Sequence, residues 1–335
     1  MVTINDVAAA AGVAPSTVSY VISGKRSISP QTRQLVEESI RKLGYHPHAG
    51  ARALASSRTN VLALVVPLRT DLNVAVVMQF VTSVVTAARA YDHDLLLLTK
   101  DEGPAALQRV ASAAIADALI VMDVEAGDPR VPVLLALDRP VVLIGVPEHR
   151  AGLTCVDLDF TAAGSASVAH LADLGHRRIA LIGPSPAVYQ RGTSYATRFL
   201  GGFNRTAGHR GLRVTTRPCN HSYEAASDAL DELFAQDPGI TGLVVHNEAV
   251  LPALLSELRH RGLRVPGDLS VIAVCPETMG EQQSVALTTV AIPADEVGKQ
   301  AVEMVVRRLG GHTTPEIRLL SPRLTVRDST AAPPA

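Results

Sequence analysis

The sequence predicts a chain in two parts: an N-terminal all-α helix-turn-helix domain with a short alanine-rich connecting segment, then a C-terminal α/β body of two Rossmann-like lobes. Three observations predict it. Residues 3–23, TINDVAAAAGVAPSTVSYVIS, place apolar side chains at helical spacing on both sides of a glycine turn. A short alanine-rich stretch, HAGARALASSR over 48–58, follows the break at Tyr45-His46-Pro47. From Val61 onward, short and nearly continuous apolar runs alternate with helical segments.

In the first stretch Ile4, Val7, Ala8 and Ala11 share one helical face, with Thr3 as N-cap and Asp6 in the first turn. Gly12 supplies the positive φ that ends the helix. Val13 fills the space between the helices, and Pro15 suits the first position of helix two, where no N–H is required. Val18, Val21 and Ile22 then point inward, leaving Ser16, Thr17, Ser19 and Tyr20 outward. A third helix is expected from Ser29 to Leu43: Ser29 caps it, Pro30 sits at N1 and Gly44 stops it. Its apolar face is Leu35, Val36, Ser39, Ile40 and Leu43.

The body runs are VLALVVP (61–67), DLLLLT (94–99), ALIVMD (118–123), VVLIG (141–145), RIALIG (178–183), GLVVH (242–246) and SVIAV (270–274). Runs this apolar are strands buried on both faces, hence parallel sheets flanked by helices. The 335 residues suffice for two such sheets.

Net charge is only −1, yet it is unevenly placed. Lys25, Arg26, Arg33, Arg41, Lys42, Arg52 and Arg58 crowd the first sixty residues against Asp6, Glu37 and Glu38, so a basic head precedes an acidic body. Cys155, Cys219 and Cys275 are scattered, which argues against a disulfide framework or zinc cluster. The N-terminus carries no basic-then-apolar signal stretch and no apolar run approaches 18 residues, so a cytoplasmic protein without membrane spans is expected. The nucleophile-elbow, zincin, Walker and dinucleotide motifs are missing, so neither an enzyme nor a cofactor nor a metal is expected.

The run I-N-D-V-A-x-x-A-G-V-x-x-S-T-V-S resembles the DNA-binding head of the lac-repressor (LacI/GalR) family. That resemblance implies a homodimer on a double-stranded, pseudo-palindromic operator, with the second helix in the major groove. The DNA-facing residues are then Thr3, Pro15, Ser16, Thr17, Ser19 and Tyr20, with Lys25 and Arg26 at phosphates. In the hinge helix Leu54 becomes a minor-groove wedge, with Ala55 beside it and Arg52 and Arg58 flanking it. Tyr20 stands where many relatives carry Arg, which implies a different base at that half-site position.

The body resembles the periplasmic-binding-protein fold, supported by LADLGHRRIALIG (171–183), RVPGDLSVIAV (264–274) and LTTVAIPADEVGKQAV (287–302). The expected organisation is a head over 1–47, a hinge over 48–58, a two-lobed body over 59–328 and a disordered tail over 329–335. One lobe takes about 59–160 and 291–322, the other about 161–290 and 323–328, with crossovers near 158–162, 288–293 and 320–325. Ligands of open parallel sheets meet the carboxyl ends of strands. The resemblance places a small-molecule effector, sugar-like, against Asp159, Tyr189, Arg198, Asn247 and Cys275. Two departures stand out. Ala273-Val274-Cys275-Pro276 lacks the aspartate the family places after that strand, and Asn-Glu at 247–248 replaces Asn-Asp. With no Trp, the aromatic candidates for stacking on a sugar are Phe80, Phe160, Tyr189, Tyr195 and Tyr223. An effector-independent dimeric repressor stays open as the alternative.

Overall fold

The computed structural model describes residues 2–23, 26–45, 58–100, 103–113, 115–150 and 152–334. The head is three helices, α1 (Ile4–Ala11), α2 (Pro15–Ser23) and α3 (Pro30–Leu43). Thr3 and Asp6 form a reciprocal capping box, and Ser29 accepts from the Thr32 amide at 3.2 Å. Gly12 (φ 67°) and Gly44 (φ 63°) end α1 and α3 in the left-handed conformation. Val7, Ala8, Val18, Val21, Val36 and Tyr45 close a small core. Leu35, expected on the apolar face of α3, is instead 52% exposed. One helical step away, Val36 takes the inward position.

The first lobe is built from β1 (Val61–Val65), α4 (Val74–Arg89), β2 (Asp94–Leu98), α5 (Gly103–Ser112), β3 (Ala118–Val121), α6 (Val131–Ala136), β4 (Val141–Ile144) and β5 (Cys155–Leu158). The second begins with α7 (Phe160–Asp173), β6 (Arg178–Gly183), α8 (Pro186–Gln190), α9 (Ser194–His209), β7 (Arg213–Pro218) and α10 (Tyr223–Gln236). It continues with β8 (Gly242–Val245), α11 (Leu251–His260), β9 (Ser270–Cys275), α12 (Glu277–Glu281) and β10 (Thr288–Ala291). The chain then returns to the first lobe through α13 (Ala294–Leu309) and β11 (Ile317–Leu320), and crosses once more to β12 (Leu324–Thr325).

Two six-stranded sheets result, ordered β11-β5-β4-β3-β1-β2 and β12-β10-β9-β8-β6-β7. Apolar clusters cover both faces of each sheet, which is why the strands read as unbroken hydrophobic runs. The pairings are parallel except that β12 runs antiparallel to β10. Only three residues, 321–323, separate β11 from β12. A parallel crossover needs a dozen or more, so the short connection arrives reversed. Helices α7 and α9 touch backbone to backbone because Gly202 has no side chain: a Cβ there would come within 2.0 Å of the Thr161 carbonyl oxygen.

The tail expected to be disordered is packed instead. Ser329 is fully buried, accepts from the Thr288 amide at 2.7 Å and donates to the Val271 carbonyl at 2.6 Å. Ala331 accepts from His176 Nε2 at 2.9 Å, and Pro333 lies over Gly175. The polar edge of the second lobe offers donors that compensate the tail's loss of chain entropy, a signal absent from the tail's own composition. Among the described residues no helix is long and apolar enough to cross a membrane.

Candidate functional site

Two surfaces carry the candidate residues. On the head, burial of Val18 and Val21 turns the opposite side of α2 outward, so that Pro15 and Ser16 are exposed and Thr17, Ser19 and Tyr20 half-buried. The Arg26 guanidinium lies over the Tyr20 ring, 5.4 Å from its centre, a contact that steadies both groups at the rim of the helix. Thr3 is exposed but its hydroxyl is committed to Asp6 at 2.8 Å. The Thr3 amide, which donates to Asp6 at 2.7 Å, and then this hydroxyl hold the Asp6 carboxyl below the usual carboxylate range. Lys25, Arg52, Leu54 and Ala55 lie outside the described residues, as does the hinge segment over 48–57.

In the body a cavity of about 150 Å³ opens between the lobes at the carboxyl ends of both sheets. This is ample for more than one water. From the first lobe Asp71, Asn73, Asp123 and Asp157 reach it, with Phe80 and Val76 as apolar wall. From the second come Phe160, Tyr195, His221, His246, Asn247 and Glu248. The rings cluster: His246 sits 4.2 Å from Phe199, 5.6 Å from Tyr195 and 5.7 Å from Phe160, measured between centres. Burial in this box holds His246 neutral, down at about 3, and drives the Tyr195 hydroxyl well above its ordinary range.

The lobes are also tied directly. The Ser194 amide donates to the Val124 carbonyl at 2.9 Å and the Ala126 amide to the Gly192 carbonyl at 2.8 Å. The Ser194 hydroxyl donates to the Val146 carbonyl. Arg191 holds Asp71 at 2.7 Å, and Arg198 pairs with Asp157 while lying 5.6 Å from the Phe160 ring centre. Burial nonetheless pushes Asp157 up to about 6, because desolvation outweighs the pull of Arg198. Asp123, which pairs with Arg69, adopts φ 53° at the cavity wall.

Of the five residues expected to hold an effector, Asn247 lines the cavity itself. Both its amide hydrogens are spent, on the Cys219 carbonyl at 2.7 Å and the Gly183 carbonyl at 3.3 Å, which leaves its carbonyl oxygen for a ligand. Arg198 reaches the cavity only through Asp157. The other three take structural positions. Asp159 caps α7 by accepting from the Ala162 amide at 3.0 Å. Tyr189 packs its hydroxyl onto Gly183, where a Cβ would come within 2.2 Å. Cys275 is fully buried beneath α12, its thiol pushed up to about 12 by burial.

Sequence reasoning missed Asp157, Asn73, His221 and His246. The D-L-D over 157–159 held the clue. An acid immediately before a helix serves the cap, so the earlier aspartate was the one free for the cleft. His246 closes the GLVVH run in plain view. His221 follows β7, whose alternating R-V-T-T-R-P marks a half-buried edge strand rather than an apolar run. Among the described residues no cluster of three His, Cys, Asp or Glu could hold a metal.

Comparison with known proteins matches both parts. Residues 3–48 match the bacterial regulatory proteins of the lacI family, and residues 168–330 a periplasmic binding protein-like domain. The HTH-type transcriptional regulator CelR of Thermobifida fusca is 31% identical over 352 residues, covering 98% of each chain. Catabolite control protein A of Priestia megaterium is 26% identical over 98% of this chain and 99% of its own. Among solved structures, a CelR–cellobiose complex aligns over 98% of this chain and 100% of its own, at 27% identity and a TM-score of 0.70. The lac repressor dimer bound to operator and the anti-inducer ONPF aligns over 99% of each chain at a TM-score of 0.85; at 22% identity it speaks to the fold. The chain belongs to the lacI family of bacterial regulatory proteins, and is a DNA-binding transcriptional regulator rather than an enzyme.

Proposed function

We propose that this protein is a repressor that binds a pseudo-palindromic operator as a homodimer and is controlled by a sugar or related metabolite held between its lobes. The observation that carries this reading is the position of the cavity. It lies on the seam between two lobes joined by separable polar contacts, so an occupant that prefers one arrangement of the lobes shifts their equilibrium. The lobes in turn bear on the hinge, where paired helices with Leu54 in the minor groove would order on DNA. The wall suits a sugar. Carboxylates and the Asn247 carbonyl accept from hydroxyls, while Phe160 and Tyr195 supply flat faces despite the absence of Trp. A relative solved with cellobiose adds support.

The segment Ala273-Val274-Cys275-Pro276, which supplies no aspartate after β9, favours a second reading, a repressor indifferent to ligands. A titration of sugars against the full-length protein, with operator affinity followed in parallel, separates the two. The operator itself comes from selection on randomised DNA. Replacing Tyr20→Arg should change the preferred base at one symmetric position in each half-site, and an unchanged selected sequence would remove Tyr20 from the reading face.

A further inference from the structure

The cleft is acidic, and its acids are of two kinds. Asp71, Asp123, Asp157 and Glu248 line it, and among its described lining residues there is no lysine or arginine. Three arginines stand behind the wall, and each is held by an aspartate: Arg69 by Asp123, Arg191 by Asp71 and Arg198 by Asp157. Those aspartate side chains are nearly closed to solvent, at 5%, 13% and 10% exposure. An anion that recruited one of these arginines would strand a buried carboxylate, which is costly. The cavity histidines supply no positive charge either, since burial lowers both His221 and His246.

Glu248 differs from the aspartates. Burial raises its carboxyl above the usual carboxylate range, against the weaker opposing pull of the neutral Asn73 side chain on the opposite lobe. Its position is also distinctive. Glu248, Leu72, Asn73 and His221 line both the cavity and a second, more open depression bounded by Val74, Pro252 and Met279. Glu248 therefore faces the cavity on one side and the more open depression on the other.

We infer that Glu248 is a specificity-determining residue at the mouth of the cleft, and that the effector is an uncharged polyhydroxylated molecule whose phosphorylated or carboxylated forms are rejected. This rests on the effector reading above and narrows its ligand class. Neutral hydroxyls can donate to the carboxylates on the wall without displacing an ion pair, whereas an anion must break one of those pairs to find a cation and drives the already raised Glu248 carboxyl further toward protonation.

The test is calorimetric titration of the full-length protein with ligand pairs that keep the same pyranose ring and differ by an acidic group: glucose against glucuronate, and cellobiose or glucose against its 6-phosphate. The charged member should bind on the order of 100-fold more weakly than its neutral partner. In Glu248→Gln, or in Glu248→Ala if the first variant folds poorly, that ratio should narrow about tenfold. Equal or tighter binding of the charged member, or a ratio unmoved in both variants, overturns the inference while leaving an effector in place. Silence from every sugar, neutral and charged, overturns the effector reading and this inference with it.

Discussion

The head and the cleft are built from contacts of very different reach. In the head, the capping box joins residues three apart and the whole core lies between Val7 and Tyr45. In the cleft, Arg198 meets Asp157 across 41 residues and Arg191 meets Asp71 across 120. The head therefore depends on a small, local core, whereas the cleft depends on two large sheets arriving at the same place. Substitutions should separate these dependences.

The largest effect should come from the head. Val18 is fully buried at the centre of its core. A domain of this size holds only about 3–5 kcal/mol of stability. Burying an unpaired carboxylate there should cost at least about 3 kcal/mol. Val18→Asp should abolish operator binding in an anisotropy assay while the calorimetric transition of the body stays in place. A body transition that moves with the head would break the separation between them.

The next effect belongs to the cleft and appears as a pH dependence. His246, held near 3 against an ordinary 6.5, stays neutral in the folded chain while the unfolded chain takes up a proton. Stability from this group is therefore full above about pH 6.5 and is lost as the pH falls toward 3. Asp157 acts oppositely. With its carboxyl raised to about 6 from 3.8, the folded chain binds that proton first, so stability rises as the pH falls from about 6 to 4. His246→Phe keeps the aromatic packing and removes one side of this balance. The Nδ1 atom has no hydrogen-bond partner among the described residues to lose. Between about pH 7 and pH 4.5 the variant should gain roughly 3 kcal/mol relative to the parent, read by urea unfolding at both pH values. Parallel profiles would show that the ring is not held neutral by burial.

The smallest effect returns to the head. Thr3→Ala removes the α1 cap and should cost about 1 kcal/mol in the head alone, visible as faster amide exchange across α1. No change in exchange there would show that the cap is not what holds the first turn.

The same difference in reach explains what was readable from the residue order. Caps, turn glycines and helical spacing are local, so all three head helices were legible from Thr3, Gly12, Ser29 and Gly44. Apolar runs marked β1, β2, β3, β4, β6, β8 and β9, whereas the internal strands β5 and β10 are short and interrupted by Asp157 or by Thr288 and Thr289, and the edge strands β7, β11 and β12 mix Arg or Thr with apolar residues. In the cleft, the strand-end rule led to Asn247 and to the neighbourhood of Asp157. It could not say that Asp159 would cap a helix, that Cys275 would turn under α12, or that Arg198 would be claimed by a carboxylate. Those outcomes depend on partners from other segments, which spacing does not encode.

The most direct measurement is the affinity of the full-length protein for its selected operator, with and without a sugar that calorimetry shows in the cleft. The reading proposed here predicts a change of at least about tenfold, a coupling of about 1.4 kcal/mol between sites. Identical operator affinity with the cleft demonstrably filled would contradict it.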